Sequence, residues 1–168
     1  MKKVTGALAL AILTGLLSPG PSASAKGAPE GASVKEAWQV REMIAKVNDK
    51  WQESHPAEAT PFWHNAAYHT GNMEAYFLTG NEKWRDYSER WAEHNKWQGA
   101  KGKDRSLWRY DYGETDNHVL FGDWQICFQT YADLYNLLPD DRRIRRAREV
   151  MEYEICLLYT SDAADDRI

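Results

Sequence analysis

Helix-forming segments of this chain alternate between charged and nearly uncharged, and that alternation limits its fold more than any other feature. Residues 34–53 carry Lys35, Glu36, Arg41, Glu42, Lys46, Asp49 and Lys50 around a stripe of Val34, Trp38, Ile44, Val47 and Trp51, with Ser33 placed to cap the helix. Residues 62–78 hold one formal charge, Glu74, which predicts a helix buried nearly all round. Residues 82–95 return to an amphipathic pattern with Trp84, Tyr87, Ser88 and Trp91 inward. Residues 122–138 are again almost uncharged, with Trp124, Cys127, Tyr131, Leu134, Tyr135 and Leu138 recurring at three- and four-residue steps. From Asp140-Asp141 a fifth helix presents Arg142, Arg143, Arg145, Arg146, Arg148, Glu149 and Glu152 as a solvated face. No strand pattern interrupts the series. The expected class is therefore all-α, with outer and inner helices succeeding one another as in an α/α toroid.

In such a two-layer ring, every outer-to-inner connection lies at the same end. The starts of the second and fourth helices should then share one cleft, bringing Trp63, His64 and Asn65 beside Asp123, Trp124 and Gln125. Asp123 stands where an N-cap or first-turn acid stands, so it is open both to a capping role and to a chemical one. Trp63 and His64 can contact a ligand or simply fill the core. His69 lies a turn deeper, where a hydrogen-bonded core histidine competes with a ligand contact. The long connection 96–122 contains Gly99, Gly102 and Gly113 and the run Trp108-Arg109-Tyr110-Asp111-Tyr112. Its aromatics suit either a subsite wall or anchors for the loop.

The two ends of the chain read differently from its middle. Met1-Lys2-Lys3, the apolar run Val4 to Leu17 and Ala23-Ser24-Ala25 form a signal peptide pattern, so residues 1–25 imply export to the periplasm or medium. Residues 26–33 form a Gly/Ala/Pro leader. Residues 156–168 do not continue the fifth helix's pattern and resemble a translated sequencing-library adapter, so the native sequence is expected to stop at about Ile155. Cys127 and Cys156 make no disulfide framework. A net charge of −4 gives no basic footprint for nucleic acid or an anionic membrane. No His-Glu-x-x-His spacing or Gly-rich phosphate loop occurs, so neither metal nor cofactor is expected.

Three stretches together carry a family resemblance: Phe62-Trp63-His64-Asn65-Ala66-Ala67-Tyr68-His69-Thr70-Gly71 with Leu78-Thr79-Gly80-Asn81-Glu82-Lys83-Trp84, the outer helix that follows, and Gly122-Asp123 leading into Gln129-Thr130-Tyr131-Ala132-Asp133-Leu134-Tyr135. Over residues 34–155 the chain resembles the unsaturated glucuronyl and rhamnogalacturonyl hydrolases of glycoside hydrolase families 88 and 105. The resemblance implies a six-hairpin α/α barrel, of which five helices are present. It implies a substrate that is an oligosaccharide ending in a 4,5-unsaturated uronic acid. An Asp of these enzymes protonates C4 and helps water attack C5, so the sugar opens and releases the rest of the chain. Asp123 matches an acid that faces the double bond, and Trp63, His64, Asn65, His69, Trp124 and Gln125 become candidate substrate contacts. The family's principal acid belongs to a later inner helix, which implies that these residues alone are inactive. Phe128 and Trp124 depart from the family pattern, which commonly has Gly and a second Asp there. Two other readings remain: an α/α toroid with other sugar chemistry, such as an epimerase or ordinary glycosidase, and a non-catalytic helical-repeat binding protein.

Overall fold

The computed structural model describes the backbone of residues 34–165 and the side chains of residues 36–157, which belong to a unit that begins at Val34. The signal peptide and leader expected for residues 1–33 lie outside the described residues. Five α-helices follow in order: α1 (Val34–Ser54), α2 (Trp63–Thr79), α3 (Glu82–His94), α4 (Cys127–Leu137) and α5 (Asp141–Asp165). No strand occurs among the described residues, and none of their helices is long and apolar enough to cross a membrane.

The turn between α2 and α3 is set by its sequence. Gly80 adopts a left-handed conformation (φ 72°) and returns its N–H to the Tyr76 carbonyl, a geometry that glycine reaches without Cβ strain. Asn81 then accepts a bond from the Lys83 N–H and starts α3. The two helices are closed against each other by polar contacts as well as apolar ones. The Asn72 amide donates to the Trp84 carbonyl (2.6 Å) and to Ser88 Oγ (2.8 Å), and accepts from Gln52 of α1 (3.2 Å).

Helix α2 packs on α1, α3 and α4, and α4 in turn packs on α5. The nearly uncharged helices α2 and α4 are thus neighbours, with α1, α3 and α5 outside them, which is the layering of part of an α/α toroid. Trp91, Tyr131, Cys127, Leu134, Met73 and Val150 form the centre of the core and are essentially inaccessible. The Tyr131 hydroxyl donates to the Gln98 carbonyl (3.1 Å), which satisfies the polar tip of an otherwise apolar payload.

Three expectations need correction. The α1 stripe is largely open: Trp38 and Val47 are exposed, while Trp51 is held by stacking on His55 (3.7 Å) and Tyr68 (4.6 Å). Helix α2 is buried on one face only, with Trp63, Phe77 and Leu78 exposed. Absence of charge lets a helix be buried, but burial needs neighbours, and the described residues supply them on one side. The charged face of α5 is not uniformly solvated, because Arg143 and Arg146 are buried. Their guanidinium carbons lie 4.9 Å from the ring centroids of Trp97 and Trp108, and Arg146 also donates to the carbonyls of Ala100 (3.0 Å) and Gly102 (2.7 Å). The α5 backbone runs as far as Asp165.

Candidate active site

The expected single helix from Gly122 is two pieces. Gly122–Trp124 form a turn of 3-10 helix, and α4 begins at Cys127 with Ile126 in the capping position and no side-chain cap. Asp123 caps nothing, because the N–H groups two and three residues on, those of Gln125 and Ile126, are both bonded to the Gly122 carbonyl (2.8 and 3.2 Å). Its carboxylate is half-buried and makes no hydrogen bond within the described residues.

The backbone around it is closely held. Trp124 donates its indole N–H to the Gly113 carbonyl (3.0 Å), and its own carbonyl accepts from Cys127 Sγ (3.2 Å). The Trp124 ring meets Phe62 edge-on at 4.8 Å, joining the turn to the residue that precedes α2. The starts of the two inner helices are thus neighbours, as the layering requires. At α2, Trp63 is exposed and His64 lies edge-on to both Phe62 (5.9 Å) and Trp63 (5.8 Å).

The connection 96–122 is an ordered part of this platform. Backbone bonds from Arg109 N–H to the Asn117 carbonyl (2.8 Å) and from Leu120 N–H to the Arg109 carbonyl (3.0 Å) fold residues 109–120 back on themselves. Trp108 is an anchor, buried with its N–H on the Gly102 carbonyl (3.0 Å), whereas Tyr110 and Tyr112 are exposed. Tyr112 packs against Phe121 (5.5 Å) and donates to Glu114 (3.1 Å). Its phenol pKa is raised, first by that bond to Glu114, with the Asp123 carboxylate adding a smaller effect of the same sign.

Three candidate contacts turn away from the platform. Gln125 donates to Glu154 (2.6 Å) and to the Val119 carbonyl (3.2 Å), so it ties the turn to α5. Asn65 donates to the Thr60 carbonyl (3.1 Å) and to Thr60 Oγ1 (3.2 Å), with His64 Nε2 at 3.1 Å, so it braces the loop and the histidine ring. His69 is 2% exposed, stacked between Trp91 (3.9 Å) and Tyr87 (5.3 Å), with Nδ1 3.0 Å from Ser88 Oγ. Ser88 Oγ also accepts from Asn72, so the three side chains form one buried hydrogen-bonded chain. Burial pushes the His69 pKa down to about 3.

One acid was missed as an individual. Asp133 accepts from Gln129 through Oδ1 (3.2 Å), its Oδ2 is buried without a partner, and burial raises its pKa. The Gln-Thr-Tyr-x-Asp motif contained it, but the four-residue spacing from Gln129 was its only local signal. No group of three His, Cys, Asp or Glu side chains positioned for a metal occurs among the described residues.

What the platform offers chemically is an unbonded carboxylate on a fixed turn, flanked by exposed aromatic rings suited to sugar faces. Comparison with known proteins bears on this arrangement. The sequence model of Glycosyl Hydrolase Family 88 matches residues 36–161. A solved glycosyl hydrolase family 88 protein from Bacteroides vulgatus is similar with a TM-score of 0.69 and 52% identity, over 70% of this chain and 34% of that one. A second solved structure, described as a polysaccharide lyase, is similar with a TM-score of 0.69 and 60% identity, over 70% of this chain and 33% of that one. No curated protein matches. The chain spans about a third of the length of these two structures.

Proposed function

The chain belongs to glycosyl hydrolase family 88, and from that membership we propose that it is part of an exported hydrolase that removes 4,5-unsaturated uronic acids from oligosaccharides made by polysaccharide lyases. The observation that carries the reading is Asp123, a half-buried carboxylate with no structural bond to make, next to Trp124, whose ring meets Phe62 at the start of the helix that carries Trp63 and His64.

The reaction is hydration of a vinyl ether. A proton is delivered to C4, the C4–C5 double bond supplies the electrons, and positive charge develops at C5 and is shared with the ring oxygen. Water adds at C5 and loses a proton. The resulting hemiketal opens by breaking C5 from the ring oxygen to give a C5 ketone and a hemiacetal at C1. Collapse of that hemiacetal to the aldehyde breaks the C1–O bond to the remaining oligosaccharide, which leaves as an alcohol. Asp123 faces the double bond and holds or moves one of these protons. Trp63 and Trp124 seat the ring, and His64 is braced by Asn65 for a hydrogen bond to the sugar. A further acid from outside these residues completes the site, so the 168-residue chain is expected to be inactive by itself.

A second reading is favoured by the polysaccharide lyase to which the chain is 60% identical. It would form the same double bond by β-elimination. One assay separates the two on the full-length gene product: the ultraviolet absorbance of the conjugated double bond falls under hydration and rises under elimination. Asp123→Asn should lower the hydration rate by about 100-fold or more. Unchanged turnover in that variant would remove Asp123 from the mechanism.

A further inference from the structure

A cavity of about 420 Å³ lies between the start of the long connection and the first half of α5, and it is lined by neither Asp123 nor any of the candidate substrate contacts. Its size falls within the usual range of small-ligand sites. Six of its lining side chains are cationic, Lys96, Lys101, Lys103, Arg142, Arg145 and Arg146, against one carboxylate, Glu149. This is a sharp local reversal in a chain of net charge −4.

The ion pairs around the cavity leave much of that charge unanswered. Arg142 is paired with Glu93 and Asp140, and Arg146 with Glu149. Lys96, Lys101, Lys103 and Arg145 have no ion pair among the described residues, and all four are exposed. Gathering like charges around one concavity costs energy through mutual repulsion, which a bound anion removes.

Two donors behind the cavity wall lack acceptors. Trp97 is 2% exposed and its indole N–H has no partner, and the Arg146 Nε–H is likewise buried without one. Buried donors left unmatched are costly, and both belong to lining residues. Arg146 cannot turn freely to find a partner, because its other nitrogens are bonded to Ala100, Gly102 and Glu149 and its plane lies on Trp108. The four unpaired cations around the cavity call for an oxyanion, whereas the two unmatched donors are closed off behind its wall.

We propose that this cavity is a second glycan-binding site, which takes the carboxylate or sulfate groups of an acidic oligosaccharide. The choice of a glycan over a free anion rests on the proposed function. The site holds a distal part of a polyanionic chain by charge and leaves the sugar chemistry to the platform.

The test uses calorimetric titration of the 168-residue chain at low ionic strength with trigalacturonate, which has no double bond and cannot be turned over. Sodium sulfate and maltotriose serve as the free-anion and neutral-sugar arms. Trigalacturonate should bind saturably and maltotriose should not. The double variant Lys101→Glu/Arg145→Glu should weaken binding about tenfold or more, as should a rise in salt to physiological strength. Both substituted side chains are exposed, and an unchanged thermal melt verifies the fold. Asp123→Asn should bind as the parent does. Absence of saturable trigalacturonate binding overturns the proposal, as does binding that ignores the double variant. Binding of sulfate without trigalacturonate overturns the glycan as occupant. Binding that follows Asp123 instead of the basic cavity overturns this site while leaving the platform reading standing. Charge-dependent binding by a full-length protein without hydration or elimination activity would support this site and sink the proposed function.

Discussion

His69 gives the most direct test of the packing. The ring is 2% exposed and neutral, with its pKa depressed to about 3, whereas an unfolded histidine titrates near 6.5. Between those two values the unfolded chain binds the extra proton, so stability rises with pH there and is lost as pH falls below 6.5. At pH 7.5 the effect is close to zero. At pH 5 the unfolded state gains roughly 0.59 × ln(1 + 10^1.5), or about 2 kcal/mol, while the folded ring remains almost unprotonated. The full separation of about 3.5 units would reach about 5 kcal/mol below pH 3. The assay is urea unfolding followed by tryptophan fluorescence at pH 7.5 and pH 5. His69→Gln removes the titration and keeps an amide that can bond the Ser88 hydroxyl in either direction. Whatever that substitution costs in absolute stability, the variant should lose about 2 kcal/mol less than the parent between the two pH values. In the parent, NMR should find the His69 ring untitrated across the same interval. Equal losses in parent and variant, or a ring that titrates near its ordinary value, would falsify the buried neutral stack.

Two further outcomes follow from the turn that carries Asp123. Cys127 is fully buried with its pKa pushed up to about 12 by desolvation, whereas Cys156 is exposed, so a thiol reagent at pH 8 should label Cys156 at once and Cys127 only in denaturant; rapid native labelling of a Cys156→Ser variant would contradict this. A Cβ added at Gly99 would overlap the Trp124 carbonyl oxygen and come within 3.1 Å of its carbon and 3.5 Å of Cys127 Sγ, so Gly99→Ala should cost about 2 kcal/mol and shift Trp124 fluorescence; an unaltered melt would show that the loop does not approach the turn.

The layering was legible because charge density along a helix records which face meets water. That rule distinguished α2 and α4 from α1, α3 and α5, and their adjacency follows it. It failed at Arg143 and Arg146 for a definite reason. A guanidinium can leave water when it lies on an aromatic face and its donors meet carbonyls, and here those partners, Trp97, Ala100, Gly102 and Trp108, lie about 40 residues away. No periodicity within α5 could report them. His69 was ambiguous on the same grounds, since Ser88 and Trp91, which settle its place, belong to the next helix.

For Asp123 the sequence posed the alternative of cap or site, and local geometry removes the first. A residue at the head of a continuous helix would have had free N–H groups within reach. The 3-10 turn instead ends at Trp124, and α4 restarts at Cys127. Because Cys127, Tyr131 and Leu134 keep their three- and four-residue steps, the break leaves the buried face intact while the Gly122 carbonyl takes the donors that Asp123 could have capped. The cost of holding this turn falls on its neighbours: Gly113 accepts from the Trp124 indole, Phe62 meets its ring, Cys127 donates to its carbonyl, Gly99 makes room for it, and Gln125 fastens the turn to Glu154. Each of these contacts fixes the backbone and none consumes the carboxylate. A rigid support around an unspent acid is the condition for a reactive group to be both positioned and available, and that is the physical reason to seek the chemistry of this chain at Asp123.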